Sequence, residues 1–329
     1  MGSAWRPTSA AASRARRSTS AFPRMPARTR GARGQSISTS STDPGGPTYD
    51  GIVARTQSER LPGPRPRKAL GQHFLRDSGV LADIVTALHV PGGGLVVEIG
   101  AGTGQLTAAL LDAGCEVLAV EIEPRLVGHL RNRFRKHERL RIVEGDARTI
   151  DFGGLVPPGR PFVVVGNLPY FAANPIVRNI LENPRRPQEA VVMVQREVAR
   201  EMAAAPGEWS LHTVSIRVYA EPELLFDVPP EAFDPPPAVW SSVVRLSILP
   251  EPRIPEAEIP EFFEFVSRVF RNPRKQVHNS LARGVWLPPG GAREALERAG
   301  IDPMRRPETL NLEEWQALRR ACREVVAVG

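Results

Sequence analysis

Asn167-Leu168-Pro169-Tyr170 follows directly on the apolar run Phe162-Val163-Val164-Val165-Gly166. These residue types in this order suit one reaction, the transfer of a methyl group to the exocyclic amine of a planar base. The lone pair of such an amine is delocalised into the ring, so the nitrogen is a poor nucleophile. The Asn167 side-chain oxygen and a backbone carbonyl can each accept one N–H, which holds the nitrogen nearer tetrahedral geometry and frees its lone pair. Pro169 fixes φ and removes a competing donor. Tyr170 offers a ring face on which the base can stack. Taken alone, the run is equally compatible with a strand that ends in an ordinary Asn/Pro turn.

What lies upstream shifts that balance. Leu95 to Ile99 reads as a strand, Gly100-Ala101-Gly102-Thr103-Gly104 as a glycine turn, and Gln105 to Leu111 as the helix after it. Glycines let the backbone bend sharply and approach a ligand closely. A second strand, Cys115 to Glu121, ends in an acid placed where ribose hydroxyls are met in nucleotide-binding βαβ units. A dinucleotide-type site would need glycine at 105, where this chain has Gln105. The spacing Gly-x-Gly-x-Gly after Glu98 resembles S-adenosylmethionine (SAM) methyltransferases more than dehydrogenases.

Leu140 to Ala147 reads as a third strand ending in Gly145-Asp146-Ala147. The Asp146 carboxylate can accept a hydrogen bond from an adenine amino group; by itself it reads equally as a turn or N-cap acid. These groups fall at the carboxyl ends of successive strands, where open α/β sheets bind ligands.

The elements that must position these groups follow from patterning. Asp77 can cap a helix with Val80, Leu81, Ile84, Val85 and Leu88 on one face. Glu189 to Gln195 reads as strand five, with a helix starting at Arg196. Thr213 to Ala220 alternates like strand six, and Ser242 to Ile248 suits strand seven. Pro229-Pro230 and Pro235 to Pro237 bracket Phe233, a stiff connection that either presents the ring near the site or tucks it into the core. Beyond about residue 254 the pattern is helical. Phe262, Phe263, Phe265 and Phe270 crowd one helix, and Asn311 with Glu314 forms a capping box for the last.

Several of these runs carry a family resemblance. Lys68 to Leu75, Glu98 to Gly104, Asn167 to Tyr170 and Phe233 to Ser241 are similar to the rRNA adenine N6-dimethyltransferases, most of all the bacterial small-subunit (16S) branch, from about Arg65 onward. The resemblance implies a Rossmann-like fold with a seven-stranded sheet, its last strand antiparallel, and a small C-terminal helical domain that grips folded RNA. It implies SAM as methyl donor and dimethylation of two adjacent adenines in the 3′-terminal hairpin loop of small-subunit rRNA, within an assembling 30S-type subunit. By motif, His73, Leu75, Gly100, Gly102, Glu121, Asp146 and Asn167 contact SAM. Asn167, Leu168, Pro169 and Tyr170 hold the base, and Phe233 helps stack it. Phe270 to Gln276 resembles the family's basic turn, which assigns Arg271, Arg274 and Lys275 to RNA. The chain departs from the family at Phe171-Ala172-Ala173, where a polar run is usual, at Glu208 to His212, and at His73, where Asn is common. Two other readings remain: the related large-subunit methylase of the macrolide-resistance type, and a non-catalytic ribosome-assembly or transcription factor on the same fold.

Composition bounds the rest. The chain has 329 residues, enough for one large α/β domain and a smaller one. The expected division is a basic extension over 1–62, a methyltransferase domain over 63–252 and a helical RNA-binding domain over 253–329. Two distant cysteines, Cys115 and Cys322, lack ligand spacing, so neither a metal nor a disulfide framework is expected. No apolar run reaches membrane-spanning length. The net charge of +7 resides in residues 1–60, which hold ten Arg and three acids. The remainder has 33 basic and 33 acidic residues, so RNA contact must come from local patches such as Arg131 to Arg141 or Arg271 to Lys275. Residues 1–60 read as disordered. They suit a flexible basic tail, a transit peptide or an early-assigned start, and the tail of a monomeric bacterial cytoplasmic protein is the reading favoured.

Overall fold

Parallel strands covered on both faces read as near-continuous apolar runs, and residues 95–97, 117–120, 162–165 and 190–194 have that character. A computed structural model of the protein describes residues 72–90 and 93–328. The expected basic extension and the motif residues 65–71 lie outside the described residues. In order along the chain come β1 (Phe74–Leu75), α1 (Ser78–Ala87), β2 (Leu95–Ile99), α2 (Gln105–Asp112), β3 (Glu116–Glu121), α3 (Pro124–Arg133), β4 (Leu140–Glu144) and α4 (Phe152–Leu155). Then follow β5 (Phe162–Asn167), α5 (Ala173–Glu182), β6 (Glu189–Gln195), α6 (Arg196–Met202), α7 (Leu211–Tyr219), β7 (Ala220–Val228), β8 (Phe233–Asp234) and β9 (Ser241–Ile248). The chain ends in α8 (Ile259–Phe270), α9 (Val277–Gly284), α10 (Gly291–Arg298) and α11 (Leu312–Val328).

The seven-stranded sheet has the order β4-β3-β2-β5-β6-β9-β7. Strands β2 to β6 pair in parallel, and β9 inserts antiparallel between β6 and β7. The expected sheet with an antiparallel last strand is therefore present. Chain order reverses between β2 and β5, whose carboxyl ends carry Gly100 and Asn167, and such a switch point opens a crevice for a ligand. At Gly166 a Cβ would lie 2.7 Å from the Ile99 carbonyl, so glycine is what lets β5 close on β2 there.

Alternate strand residues face opposite sides. Val96, Val163, Val165 and Val191 pack under α1, α2 and α3. Val97, Val164 and Val192 face the other side, where one apolar cluster continues through α5 and α7 to Phe262 and Trp315 of the C-terminal helices. Asp77 caps α1 by accepting from the Gly79 and Val80 N–H groups. The Asn311/Glu314 box closes in both directions, at 2.9 and 2.8 Å.

One element differs from its reading. Residues 213–220 do not form strand six; Leu211–Tyr219 is helix α7, and the strand is Ala220–Val228. The β-branched residues Thr213, Val214, Ile216 and Val218 favour extended chain. Ser210 and Thr213 oppose that with a reciprocal capping box. The helix is buried on nearly every side, between the sheet and the C-terminal helices, so its sequence shows no polar face to betray the helical period. The strand that follows carries Pro222, which suits its place at the sheet edge.

The two-residue pairing of β1 with β8 was not foreseen. It aligns Phe74 with Asp234 and Leu75 with Phe233, and it straps the N-terminal motif across to the proline-rich connection. No helix among the described residues is long and apolar enough to cross a membrane.

Candidate active site

The glycine turn after β2 is held by a carboxylate. Gly102 has φ +57, and its N–H donates to Glu121 Oε2 at 2.9 Å. Glu121 Oε1 accepts from the Ile122 and Glu123 N–H groups, each at 2.9 Å. Burial raises the Glu121 pKa, and these backbone donors oppose the rise. The acid at the end of β3 thus fixes the turn to which it is adjacent, and it also lines the cavity between them. Glu98, fully buried in β2, accepts from the Thr107 hydroxyl at 2.6 Å, and burial pushes its pKa up to about 7.

Asp146 lies beyond β4. Its carboxylate accepts from the Arg148 backbone N–H at 2.9 Å and from the guanidinium at 2.6 to 3.0 Å. The Arg148 hydrogen bonds hold its pKa down, so it stays ionised. It is a turn acid and a cavity-lining acid at once.

At the end of β5, the Asn167 Nδ2 donates to the His73 carbonyl at 3.1 Å. His73 Nδ1 lies 2.7 Å from the Pro235 carbonyl, which can only accept, so Nδ1 carries the proton. The imidazole stacks on the Tyr170 ring, with centroids 5.9 Å apart and planes 25° apart. The Tyr170 hydroxyl bonds Ser241 Oγ at 2.8 Å. Leu168 N–H donates to the Met193 carbonyl, which seats the loop on β6; among the described residues no donor engages the Leu168 carbonyl.

A cavity of about 280 Å³ opens among these groups. It brings together His73, Gly100, Gly102, Glu121, Asp146 and the run Asn167 to Tyr170. Leu75 lines an adjoining recess of about 40 Å³ that shares Gly100, Gly102 and Asn167. Phe233 lines neither: it is 4% exposed, packed in the core under β1. Arg271, Arg274 and Lys275 stand away from the cavity, exposed on the turn between α8 and α9. The cavity also has walls that the motif reading missed, among them Ile122, Leu126, Arg148 and Ile176, and Phe171 of the run that departs from the family lines it too. Ile122 is 54% exposed and Phe171 66% exposed. Their signal in the sequence is position alone, an apolar residue directly after a site residue. Among the described residues no group of three or more His, Cys, Asp or Glu is placed to hold a metal ion.

Strand order, glycine turn and strand-end acids define the Rossmann-like class of methyltransferases. The chain belongs to the ribosomal RNA adenine dimethylase family, which it matches over residues 64–321. The ribosomal RNA small subunit methyltransferase A of Dehalococcoides mccartyi is 38% identical over 254 residues, covering 77% of this chain and 87% of that protein. The protein of the same name from Pseudomonas aeruginosa is 37% identical over 264 residues, covering 79% and 96%. The crystal structure of the 23S rRNA methyltransferase ErmE is 30% identical with a TM-score of 0.61, covering 76% of this chain and 99% of that one. A dimethyladenosine transferase from Plasmodium falciparum shares the fold, at 23% identity and a TM-score of 0.64, covering 77% and 98%.

Proposed function

We propose that the protein uses SAM to dimethylate N6 of two adjacent adenines in the 3′-terminal hairpin loop of small-subunit rRNA, during assembly of the subunit. The observation that carries this is the fixed amide of Asn167, whose nitrogen is engaged by the His73 carbonyl and whose oxygen is thereby left to the cavity.

The cavity fits SAM on its own chemistry. Glu121 suits the ribose hydroxyls and Asp146 the adenine amino group, with Ile122 and Leu126 as apolar wall. At Gly102 a Cβ would lie 3.2 Å from the Phe74 ring, so a side chain there would crowd the glycine turn that borders the cavity. His73, Leu75, Gly100 and Asn167 complete the proposed contacts. When bound, SAM supplies an electrophilic methyl group on a sulfonium centre.

The chain's own residues do the rest by positioning and electrostatics. Asn167 Oδ1 and the Leu168 carbonyl accept the two N–H groups of the target amine, drawing its lone pair out of conjugation. Tyr170 stacks the base, and burial raises its pKa, which keeps its hydroxyl neutral on Ser241. Phe233 acts on the base indirectly, by anchoring the strap that carries His73. No general base is needed before transfer, because the amine becomes acidic once methylated. The target adenine leaves its stack to enter the cavity, which a loop makes less costly.

Residues 63–252 form the proposed catalytic domain and 253–329 the RNA-gripping one. Arg271, Arg274 and Lys275 contact phosphate there; all three are exposed, and none has a carboxylate partner among the described residues. A monomer acting in the bacterial cytoplasm completes the reading. Relatives named for the small subunit, Leu168 and the basic turn favour this substrate over large-subunit RNA. A purely binding role in assembly would have no need of the Gly100 to Gly104 turn or of Asn167.

The test is to incubate the protein with labelled SAM and small subunits from cells lacking the modification, then map adenines by primer extension. Two adjacent dimethyladenines in the 3′ hairpin support the proposal. Label only on large-subunit RNA overturns it.

A further inference from the structure

We propose that Trp240 and Arg196 form a second nucleobase subsite, beside the reacting one, that holds the nucleotide flanking the target adenine. The proposal rests on the reading that the substrate is RNA with a base drawn out of its stack.

Trp240 is 41% exposed, unusual for so large an apolar ring. It does not line the cavity, unlike Ile122 and Phe171, yet it is tied to it by its neighbour. Ser241 is fully buried, and its Oγ shares a hydrogen bond with the Tyr170 hydroxyl at 2.8 Å. Ser241 also pairs with Gln195 at the carboxyl end of β6, the end of the sheet that carries the site. Trp240 therefore stands one residue from the anchor of the base-stacking tyrosine.

Its ring is braced rather than loose. The Arg196 N–H donates to the Trp240 carbonyl at 3.0 Å, and the Arg196 guanidinium lies 5.4 Å from the ring centroid. A cation over one face orients the indole. Stacking on an aromatic ring tolerates any base. Arg200 lies one turn on along α6, exposed. Neither Arg196 nor Arg200 has a carboxylate partner among the described residues, whereas Arg217, Arg245 and Arg253 are each ion-paired. An exposed aromatic with unneutralised guanidinium groups matches a nucleotide, whose base stacks and whose phosphate is anionic. An adenine whose neighbour has moved into the cavity has lost a stacking partner, and Trp240 replaces it.

The test titrates a labelled hairpin RNA with an adenine pair in its loop into wild type, Trp240→Ala and Trp240→Phe, alongside methyl transfer to unmodified small subunits. Trp240→Ala should weaken hairpin binding about tenfold, the scale of one stacked base. It should raise KM for subunits similarly with kcat little changed, leaving SAM affinity and the melting temperature as in wild type. Trp240→Phe should restore most of the loss. Wild-type hairpin affinity in Trp240→Ala overturns the subsite. So does a loss that comes with a lower melting temperature and weaker SAM binding and is not rescued by Phe. If wild type binds through Trp240 but methylates no small-subunit adenine, the substrate reading fails while the subsite stands.

Discussion

The side-chain amide of Asn167 donates to the backbone carbonyl of His73 over 3.1 Å, across 94 positions of sequence. A carbonyl only accepts, so this bond decides which end of the amide faces the cavity, and it is the oxygen. His73 is itself held, by its bond to the Pro235 carbonyl and its stack on Tyr170. Segments around residues 73, 167–170 and 233–241 thereby fix one another, and the β1–β8 pairing closes the loop. An acceptor aimed before the substrate arrives needs no reorganisation during the reaction.

Two glycines test whether the turn depends on backbone geometry. Gly104 has φ +79, and a Cβ there would lie 2.5 Å from the Phe134 ring and 2.8 Å from Leu130. Gly128, in α3, faces open space. Gly104→Ala should destabilise by about 2–4 kcal/mol through αL strain and overpacking, and it should weaken SAM binding. Gly128→Ala should stabilise by about 0.5–1 kcal/mol. Chemical denaturation of the two variants measures both.

Glu98 gives a signature in pH. Its ordinary value of 4.5 is raised by burial to about 7, so the folded protein keeps a proton that the unfolded chain releases. Below pH 4.5 both states are protonated and nothing is lost; between about 4.5 and 7 the folded state binds more protons, so stability falls as pH rises. Glu98→Gln should match wild type near pH 4.5 and exceed it by about 3 kcal/mol at pH 8. Denaturant midpoints across that range check the sign; a constant difference would remove Glu98 as the source.

The basic turn between α8 and α9 should govern salt dependence. Among the C-terminal helices, Arg268, Arg293, Arg298, Arg305, Arg319 and Arg323 are ion-paired. Arg271, Arg274 and Lys275 are not among them, so their charge is available to phosphate. Replacing all three with Gln should lower the slope of log K against log salt by about 2–3. Filter binding to small-subunit RNA at graded salt reads it directly, and an unchanged slope would move RNA contact elsewhere.

The parts of the fold read correctly from sequence were those with a local signal. Strands β2, β5 and β6 carry the apolar runs 95–97, 162–165 and 190–194, and the caps at Asp77 and Asn311/Glu314 use short-range chemistry. Helix α7 was misread because burial on nearly all sides erases the period that distinguishes helix from strand. The strap between β1 and β8 joins residues far apart in sequence with only two positions each, too short to leave a pattern. The same holds in the site. Residues carried by turn chemistry, Gly100, Gly102, Glu121 and Asp146, meet around one cavity. Ile122 was missed because exposure of an apolar side chain is a property of the folded surface, and Phe233 lies in the core because β8 turns it inward.

The most direct test of the central claim is single-turnover methyl transfer by Asn167→Ala, with SAM and RNA affinities measured on the same protein. The account predicts transfer slower by on the order of 10²–10³-fold, as when one preorganised polar contact to a reacting group is removed, with both affinities nearly unchanged. Near-wild-type transfer at saturating SAM and RNA would contradict the assignment of Asn167 Oδ1 to the target amine.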